Sequence, residues 1–329
     1  MRILLTGGAG FIGAHVAEHI LRNTEHEVVF LDRLDFSGNL NRISGIADWE
    51  RHRDRCKFIY HDLRSPIGKI TRSLIGDIDR IYHLAAGTHV DRSIEDPLSF
   101  VYDNVVATCN LLDYYRDCLW QPEQFIYFST DEVFGPAPEG VLHHEGEHYN
   151  AKNPYAATKA GAEQLCVAFQ NTYALGIKIT RTMNVFGERQ HPEKFIPMTI
   201  SKVLRGDVVT IHASPDLMKA GSRFYLHARN AAAALEFVAE HGHVGEMYNI
   251  VGEQEVDNLQ LAKLIAEYVG KPLRYVLVDF HSSRPGHDLR YALDGGKLER
   301  MGWKMPKTFE QSLQKTVEWS LANPEWLAL

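Results

Sequence analysis

Residues 6–13 read Thr6-Gly7-Gly8-Ala9-Gly10-Phe11-Ile12-Gly13, directly after a short apolar run and directly before a helical pattern. The glycines permit a tight turn and allow a ligand to approach the backbone closely. The helix that follows would offer its first N–H groups and its positive dipole end to a pyrophosphate. The stretch therefore predicts a strand, a phosphate-binding loop and a helix; the alternative is a glycine-rich turn that binds nothing.

The acidic residue that usually accompanies such a loop is Asp32, at the end of the second strand-like run. A carboxylate about 20 residues past the loop can hydrogen-bond the adenine ribose hydroxyls, and it would repel a 2′-phosphate. We therefore expect NAD rather than NADP, although Arg33 at the next position leaves NADP open. Asp62 and Leu63, after the third run, are expected to flank the adenine, unless Asp62 only caps its strand.

The first half of the chain alternates short apolar runs with helix-length segments. The runs are residues 2–6, 27–32, 57–62, 80–84, 124–129 and 177–181, and the segments include residues 12–21, 97–118 and 154–173. This alternation predicts an α/β fold with a Rossmann-type doubly wound parallel sheet, rather than a buried helix-rich protein. Beyond about residue 182 the pattern loosens, with strand-like runs at 223–226 and 247–251 and helical patterns at 258–269 and 309–322. It predicts a smaller, mixed α/β C-terminal lobe.

The composition limits the classes of partner. The 329 residues are 45% hydrophobic and 23% charged, with a formal net charge of -7, which argues against nucleic-acid binding because phosphate backbones require clustered cations. The four cysteines have the spacing of neither a zinc site nor a disulfide framework, so no metal site is expected. Met1-Arg2 leads directly into an apolar run, and no apolar run is long enough to cross a bilayer. We expect a cytoplasmic protein that does not bind membranes.

Tyr155 and Lys159 form a Tyr-x-x-x-Lys pattern just after Pro154, in the helical segment that follows the fifth strand-like run. A spacing of four places both side chains on one helix face. A neighbouring ammonium favours the phenolate, so we expect the pKa of the tyrosine to be lowered towards neutrality. Such a tyrosine can take a proton from a substrate hydroxyl while NAD oxidises the same carbon.

Together these motifs resemble those of the extended short-chain dehydrogenases, the NAD-dependent epimerase/dehydratase family, and within it the dTDP-glucose 4,6-dehydratases. The matching stretches span nearly the whole chain. They are residues 6–13, 83–86 (His-Leu-Ala-Ala), 89–93 (His-Val-Asp-Arg-Ser), 129–135 (Ser-Thr-Asp-Glu-Val-Phe-Gly), 155–159, 192–197 (Pro-Glu-Lys-Phe-Ile-Pro) and 284–291. The Thr-Asp-Glu run discriminates within the family, because epimerases and ordinary dehydrogenases of this group commonly lack the Asp-Glu pair.

The resemblance implies a lyase that uses two carboxyl groups in addition to Tyr155 and Lys159. Oxidation at C4 of the sugar makes the C5 proton acidic, so one group must remove that proton and another must protonate the departing C6 hydroxyl. By the resemblance, Glu132 is the base, Asp131 is the acid and Thr130 holds the 4-oxygen. Adjacent carboxyls can have their pKa values pushed apart, as these roles require; the alternative for residues 130–132 is a capped loop after a strand.

The same resemblance assigns the other site residues. Cofactor contacts are expected from Gly7, Gly10, Phe11, Ile12, Gly13, Asp32, Arg33, Leu34, Asp62, Leu63, Leu84, Ala85, Ala86, Tyr155 and Lys159. Contacts to the nucleotide sugar are expected from Thr88, Asn184, Lys194, Phe195, Arg223, Asn258, Arg284 and His287. We accordingly expect an NAD-binding Rossmann domain over residues 1–182, with returning segments near 223–251, and a nucleotide-sugar-binding lobe over residues 183–329.

Several positions depart from the family pattern. Gly87 stands where these dehydratases usually have Glu, and Asp103 stands where a Thr is expected near the nicotinamide. His212 takes the place of an aromatic residue beside the base. The nucleotide base (dTDP, UDP, GDP or CDP) and the sugar therefore stay open.

Two other functions are compatible with the same fold. The first is a sugar-nucleotide 4-epimerase or UDP-glucuronate decarboxylase; the Asp131-Glu132 pair argues against the epimerase, and no group for a C6 carboxylate is evident. The second is a non-catalytic NAD-binding regulatory protein, against which the retained Tyr155 and Lys159 argue.

The resemblance also implies a homodimer with a four-helix interface made by residues 97–118 and 154–173 of both chains. These segments carry more apolar side chains than one sheet face needs, including Val101, Val105, Leu111, Leu165 and Phe169.

Overall fold

The computed structural model describes residues 1–279 and 290–328. The strands in this part of the chain are β1 (Arg2–Thr6), β2 (Glu27–Asp32), β3 (Cys56–Tyr60), β4 (Arg80–His83), β5 (Gln124–Thr130), β6 (Ile177–Thr182), β7 (Val185–Phe186), β8 (Val208–Ala213), β9 (Ser222–Phe224), β10 (Leu226–His227), β11 (Met247–Ile250), β12 (Glu255–Asp257) and β13 (Arg274–Asp279). Among them, seven form one sheet in the order β11-β6-β5-β4-β1-β2-β3. Neighbouring strands in this sheet run parallel, which confirms the predicted Rossmann-type fold.

Some helices of the described residues cover both faces of this sheet, and others pack with one another in the second half of the chain. They are α1 (Phe11–Asn23), α2 (Asn41–Ser44), α3 (Trp49–His52), α4 (Lys69–Ile75), α5 (Val90–Glu95), α6 (Pro97–Phe100), α7 (Ala107–Arg116), α8 (Pro154–Tyr173), α9 (Phe195–Arg205), α10 (Ala228–His241), α11 (Asn258–Val269), α12 (Gly296–Arg300) and α13 (Phe309–Ala322). Strands β4, β5 and β6 are buried along their whole length, because a parallel sheet between two helical layers exposes neither face. None of the described helices combines the length and the apolar character needed to cross a bilayer.

The segment 97–118, predicted as one helix, is interrupted. Between α6 and α7 the chain forms a π-helical stretch, Val101–Val106. Asn104 in this stretch accepts a hydrogen bond from the Gly87 amide (2.8 Å) and donates to the Gly87 carbonyl (3.2 Å) and to Thr158 Oγ1 (2.9 Å). These bonds link the loop after β4 to α8, and they accompany a wider helical turn, of a kind often found at functional sites.

The second half of the chain adds small sheets outside the main one. Strands β7 and β10 pair in parallel, as do β8 and β13, whereas β9 and β12 pair antiparallel. The strand-like run at 223–226 is divided between β9 and β10 and does not join the main sheet, whereas Met247–Ile250 joins it at the edge, beside β6.

The strand order reverses between β1 and β4. From β1 the chain continues to β2 and β3 on one side, and from β4 it continues to β5 and β6 on the other. In open α/β sheets the crevice beyond the carboxyl ends of the strands at such a reversal is the usual ligand site. The loops after β1, β2, β4 and β5, which carry most of the predicted site residues, all leave the sheet at this edge.

Candidate active site

The carboxyl ends of the central strands enclose one cavity of about 700 Å³. It collects most of the residues that the sequence singles out. Those lining it are Gly7, Gly10, Phe11, Ile12, Gly13, Asp32, Arg33, Asp62, Leu63, Leu84, Ala85, Ala86, Thr88, Thr130, Asp131, Glu132, Tyr155, Lys159, Asn184, Lys194 and Phe195. Residues from both halves of the chain therefore face the same space.

Three of the residues expected to contact the cofactor or the substrate do not line the cavity. Leu34 packs its side chain against the core and donates its amide to Asp32 Oδ1 (2.8 Å), so it reaches the cavity only through Asp32. Arg223 lies over the Tyr291 ring (4.7 Å), and neither of these residues lines the cavity. Asn258 accepts from the hydroxyl of Tyr225 (2.6 Å), which does line it, so Asn258 stands one side chain behind the wall. Arg284 and His287 lie outside the described residues.

The glycine loop leaves room for a ligand beside the N-terminus of α1. Gly7 has a φ of +70°, and a Cβ on it would lie 2.7 Å from the Ala85 amide nitrogen; a Cβ on Gly13 would lie 2.2 Å from the Gly7 carbonyl oxygen. Gly10 caps the helix without a side chain, so the amides of the first turn remain available to a pyrophosphate. These features fit a dinucleotide.

Asp32 closes the end of β2 against this loop. Its Oδ2 accepts from the Ala9 amide at 3.0 Å, and burial raises the pKa of its carboxyl although these backbone hydrogen bonds lower it. Each carboxylate oxygen keeps a second lone pair, so the group can still accept from a ribose hydroxyl.

Arg33, the next residue, is held by carboxylates rather than left in solvent. Asp103 accepts from both terminal nitrogens, at 2.7 and 3.0 Å, and Asp35 and Asp62 are further ion-pair partners. Asp103 thus reaches from the π-helical stretch to the residue that follows β2.

Thr130, Asp131 and Glu132 occupy the end of β5 and the 3₁₀ turn that follows it, Asp131–Phe134. Thr130 Oγ1 donates to Asp131 Oδ1 (3.0 Å), accepts from the Glu132 amide (3.3 Å), and is hydrogen-bonded to the Tyr155 side chain. Thr130 thus links the Asp131 carboxyl to the Tyr155 side chain, and the charge of Glu132 acts on both of these groups.

The two adjacent carboxyls have different surroundings. Burial, reinforced by the Glu132 charge, raises the pKa of Asp131 to about 7, although the charge of Arg223 opposes this. Its Oδ2 is buried with no hydrogen-bond partner among the described residues. Glu132 Oε2, by contrast, accepts from Asn153 Nδ2 at 2.9 Å. Asp131 is therefore able to carry a proton near neutral pH.

The expected lowering of the tyrosine pKa is not found. Burial and then the Glu132 charge raise the pKa of Tyr155 well above its usual value. Lys159 does not oppose this, because its ammonium donates to the Phe128 carbonyl (2.8 Å) and lies over the Tyr127 ring (4.2 Å). Burial also lowers the pKa of Lys159 to about 7, with Glu163 acting in the other direction.

Sequence reasoning missed two residues that shape the site. Asn153 caps α8 by accepting from the Ala156 amide (2.8 Å) while it also orients Glu132; an Asn directly before Pro154 is a helix-start signal that could have revealed the cap. Arg42 lines the cavity from α2, is buried, and donates to the carbonyls of Ala9 and Ser37. No local pattern distinguishes this arginine from a surface one.

The match to known proteins extends over nearly the whole chain. Residues 4–316 match the family model described as GDP-mannose 4,6 dehydratase. The dTDP-glucose 4,6-dehydratase of Salmonella typhimurium is 39% identical over 350 residues, which cover 99% of this chain and 94% of that protein. The trifunctional UDP-glucose 4,6-dehydratase/UDP-4-keto-6-deoxy-D-glucose 3,5-epimerase/UDP-4-keto-L-rhamnose-reductase of Arabidopsis thaliana is 38% identical over 328 residues, which cover 98% of this chain and 47% of that protein.

A solved structure has the same fold throughout. The dTDP-glucose 4,6-dehydratase DesIV of Streptomyces venezuelae, with NAD and TYD bound, superposes with a TM-score of 0.88 at 34% identity and covers 99% of this chain and 98% of its own. With the family match over residues 4–316, this means that the chain belongs to the GDP-mannose 4,6 dehydratase family.

Proposed function

We propose that this protein is an NAD-dependent nucleotide-sugar 4,6-dehydratase, which converts a nucleoside diphosphate glucose into its 4-keto-6-deoxy product. The observation that carries the proposal is the pairing of Asp131 with Glu132 beside the Tyr155 hydroxyl, on the wall of one cavity. An oxidoreductase needs only the tyrosine, whereas elimination of water needs a separate acid and base. Relatives that bear the dehydratase name support the same activity.

The proposed cofactor site runs from the glycine loop to Asp32. Gly7, Gly13 and the first turn of α1 would hold the pyrophosphate, and Asp32 would accept from the adenine ribose. When bound, NAD supplies the electron acceptor for C4 and the electron donor for C6. Residues 1–182 with the returning strand β11 would serve as the cofactor-binding part, and residues 183–329 would bind the nucleotide sugar.

The first proton transfer is assigned to Tyr155. As C4 is oxidised, the phenolate of Tyr155 takes the proton of the 4-hydroxyl while Thr130 hydrogen-bonds the 4-oxygen. The surroundings that raise the pKa of Tyr155 disfavour this phenolate. Lys159 lies one turn along the same helix face, and it is the cation that would have to turn from Phe128 to stabilise the phenolate.

The elimination is assigned to the two carboxyls. Glu132, oriented by Asn153, removes the C5 proton, and Asp131 gives its proton to the C6 hydroxyl, which leaves as water. As C6 is reduced, Glu132 returns its proton to C5, and the proton held by Tyr155 restores Asp131 through solvent. The sum is the loss of one water, with the cofactor returned to its starting state.

Product analysis tests this function directly. Purified protein is incubated with the dTDP, UDP, GDP and CDP derivatives of glucose, and products are identified by NMR. We expect a 4-keto-6-deoxy sugar from at least one of them, without net reduction of NAD. A 4-epimer or no turnover at all would contradict the proposal, as would decarboxylation of UDP-glucuronate in a parallel incubation.

The cofactor assignment has its own test. Because the cycle regenerates NAD, the cofactor has no need to leave between turnovers. We expect protein purified without added cofactor to release NAD on denaturation, as detected by chromatography. Protein that comes clean of dinucleotide and then requires NADP would contradict the role of Asp32.

We also propose the homodimer. Leu98, Val101 and Tyr102 are 60%, 38% and 47% exposed on the α6 side of the expected interface, which supports it. Leu111, which the sequence suggested for the same surface, lies in the core with no exposed area. Light scattering should give about twice the chain mass of 37.3 kDa. Val101→Asp should shift it towards the monomer, and a monomeric wild type would contradict the proposal.

A further inference from the structure

Arg33 presents a conflict at the adenosine end of the cavity. It directly follows Asp32, at the place where a guanidinium could pair with the 2′-phosphate of NADP. Arginine is well suited to this, since its planar fork binds phosphate oxygens bidentately. The side chain is only 21% exposed and lines the cavity. An arginine in this position would favour NADP, whereas the neighbouring Asp32 favours NAD.

The donors of Arg33 are already occupied. Nη1 donates to Asp103 at 2.7 Å and to Asp62 at 3.5 Å, and Nη2 donates to Asp103 at 3.0 Å and to Asp35. A terminal guanidinium nitrogen has two hydrogens, so each of these four has a carboxylate oxygen as partner. To bind a phosphate, Arg33 would have to give up bonds that it already makes.

Among these carboxylates, Asp103 holds Arg33 most firmly. It binds both nitrogens, and its side chain is 10% exposed, against 27% for Asp62 and 58% for Asp35. Asp62 accepts two hydrogen bonds from Arg64, at 2.5 and 2.8 Å, whereas Arg64 approaches Asp103 only to 4.0 Å. A bidentate pair that is shielded from water is stronger than an exposed or shared one.

The position of Asp103 depends on two departures from regular structure. It lies in the π-helical stretch Val101–Val106, next to Asn104, which bonds to both backbone groups of Gly87. Gly87 in turn leaves the space that the carboxylate occupies, since a Cβ there would lie 3.2 Å from Asp103 Oδ2. Glycine at 87 and aspartate at 103 are thus sterically compatible with each other.

We propose that Asp103 determines cofactor specificity: by holding Arg33 in a bidentate ion pair, it withholds the cation that would bind a 2′-phosphate, and the site selects NAD. This rests on the proposed function, in that the cavity binds a dinucleotide. Asp103 acts here through Arg33, as a positioning residue. Its negative charge also adds to that of Asp32, Asp35 and Asp62, and these four carboxylates outnumber the nearby cations Arg33, Arg42 and Arg64.

The test is a competition between the two dinucleotides for the intact protein. Holoenzyme is equilibrated with mixtures of NAD and NADP, and the bound pair is extracted and quantified by chromatography, which gives the ratio of the two Kd values without reference to turnover. Asp103→Asn keeps the shape and removes the charge. We expect the preference for NAD over NADP to fall by about tenfold or more, since one negative charge is lost beside the Arg33 guanidinium that would bind the phosphate.

Two further variants identify the cause. In Asp103→Asn/Arg33→Met the gain in NADP affinity should disappear, because the cation that was freed is gone. Glu95→Gln removes another carboxylate from the same cavity wall, one that is not a partner of Arg33, and should leave the preference near that of the wild type. Thermal unfolding of each variant verifies that it is folded.

The outcomes separate the specificity proposal from the function on which it rests. An unchanged preference in Asp103→Asn, a gain that survives Arg33→Met, or an equal gain in Glu95→Gln would overturn the specificity proposal while dinucleotide binding stands. A wild type that binds neither dinucleotide would instead refute the proposed cofactor site, and the specificity proposal with it.

Discussion

Acidic side chains lie at both ends of the cavity, in opposite surroundings. At the catalytic end, Asp131 is buried, its Oδ2 has no hydrogen-bond partner among the described residues, and its pKa is raised to about 7. At the adenosine end, burial tends to raise the pKa of Asp62, but hydrogen bonds from Arg64 and the charge of Arg33 lower it overall. One residue type is therefore able to carry a proton near neutral pH at one end and is held ionised at the other.

The pKa values of these two carboxyls differ because different groups lie within bonding distance of them. A carboxyl without a cation at bonding distance in a dry site avoids charge by holding its proton, whereas one that is paired with a guanidinium stays ionised. Asp131 begins the 3₁₀ turn that follows β5, where its side chain is buried. The adenosine end instead collects arginines from the loops after β2 and β3.

The largest expected effect is at the catalytic end. Tyr155→Phe removes the group that takes the first proton, so we expect product formation to fall by about 10³- to 10⁴-fold and no reduced cofactor to form. The matched control is Tyr149→Phe, whose hydroxyl donates to Glu163 outside the cavity lining. If both variants lost activity to the same extent, the loss would reflect packing and not proton transfer.

Asp131→Asn tests whether the raised pKa is used. A general acid must be protonated, so the wild-type rate should decline as the pH rises through about 7. The variant cannot donate this proton, and we expect kcat to be lower by about a hundredfold with the decline at high pH abolished. Profiles of kcat against pH for both proteins provide the check; a variant that kept the same decline would assign it to another group.

Asp131→Asn should also change the pH dependence of stability. The folded pKa of about 7 lies above the usual value of 3.8 for this group, so the native state binds more protons between these two pH values. The contribution of this carboxyl to the stability of the native state is therefore fully present below about pH 4 and is lost as the pH rises through about 7. We expect Asp131→Asn to raise the free energy of unfolding by about 1–3 kcal/mol at pH 8, and to have little effect at pH 4, as measured by chemical denaturation.

Asp62→Asn should have the smallest effect of these substitutions, and it should lower the free energy of unfolding where Asp131→Asn raises it. The pKa of Asp62 is lowered, so its stabilisation is present above the unfolded pKa and is lost as the pH falls through the folded value. The pair with Arg64 is largely exposed, so we expect a loss of about 0.2–1 kcal/mol at pH 7 that high salt reduces. A stabilised Asp62→Asn at pH 7 would remove the contrast between the two ends.

Much of the fold could be predicted because local signals agree with the tertiary structure. The bounds of β1, β2, α8, α11 and α13 match the sequence-based ranges, since apolar runs, an Asn-Pro start and capping residues mark them. The catalytic motif followed from the same signals, because Tyr155 and Lys159 are neighbours on one helix and residues 130–132 end one strand.

The rest depends on contacts between distant residues. The π-helical stretch around Asn104 is linked to Gly87 and Thr158, and neither partner is visible in a helical periodicity. Arg42 and the Arg33–Asp103 pair are charged residues that look like surface residues in the sequence. The lysine of the Tyr-x-x-x-Lys motif was predicted to act on the tyrosine, but its ammonium bonds to Phe128 instead, which spacing alone could not reveal.

The central claim is that Glu132 is the base of an elimination that follows oxidation at C4, and Glu132→Gln tests it most directly. The glutamine can keep the hydrogen bond with Asn153 but cannot take a proton. Incubated with substrate in deuterated solvent, the variant should show reduced nicotinamide by absorbance, while NMR shows C5 exchange and 4-keto-6-deoxy product lowered by about 10²- to 10⁴-fold. Near-normal product or free exchange at C5 would contradict the assignment of the base, and with it the main support for a dehydratase.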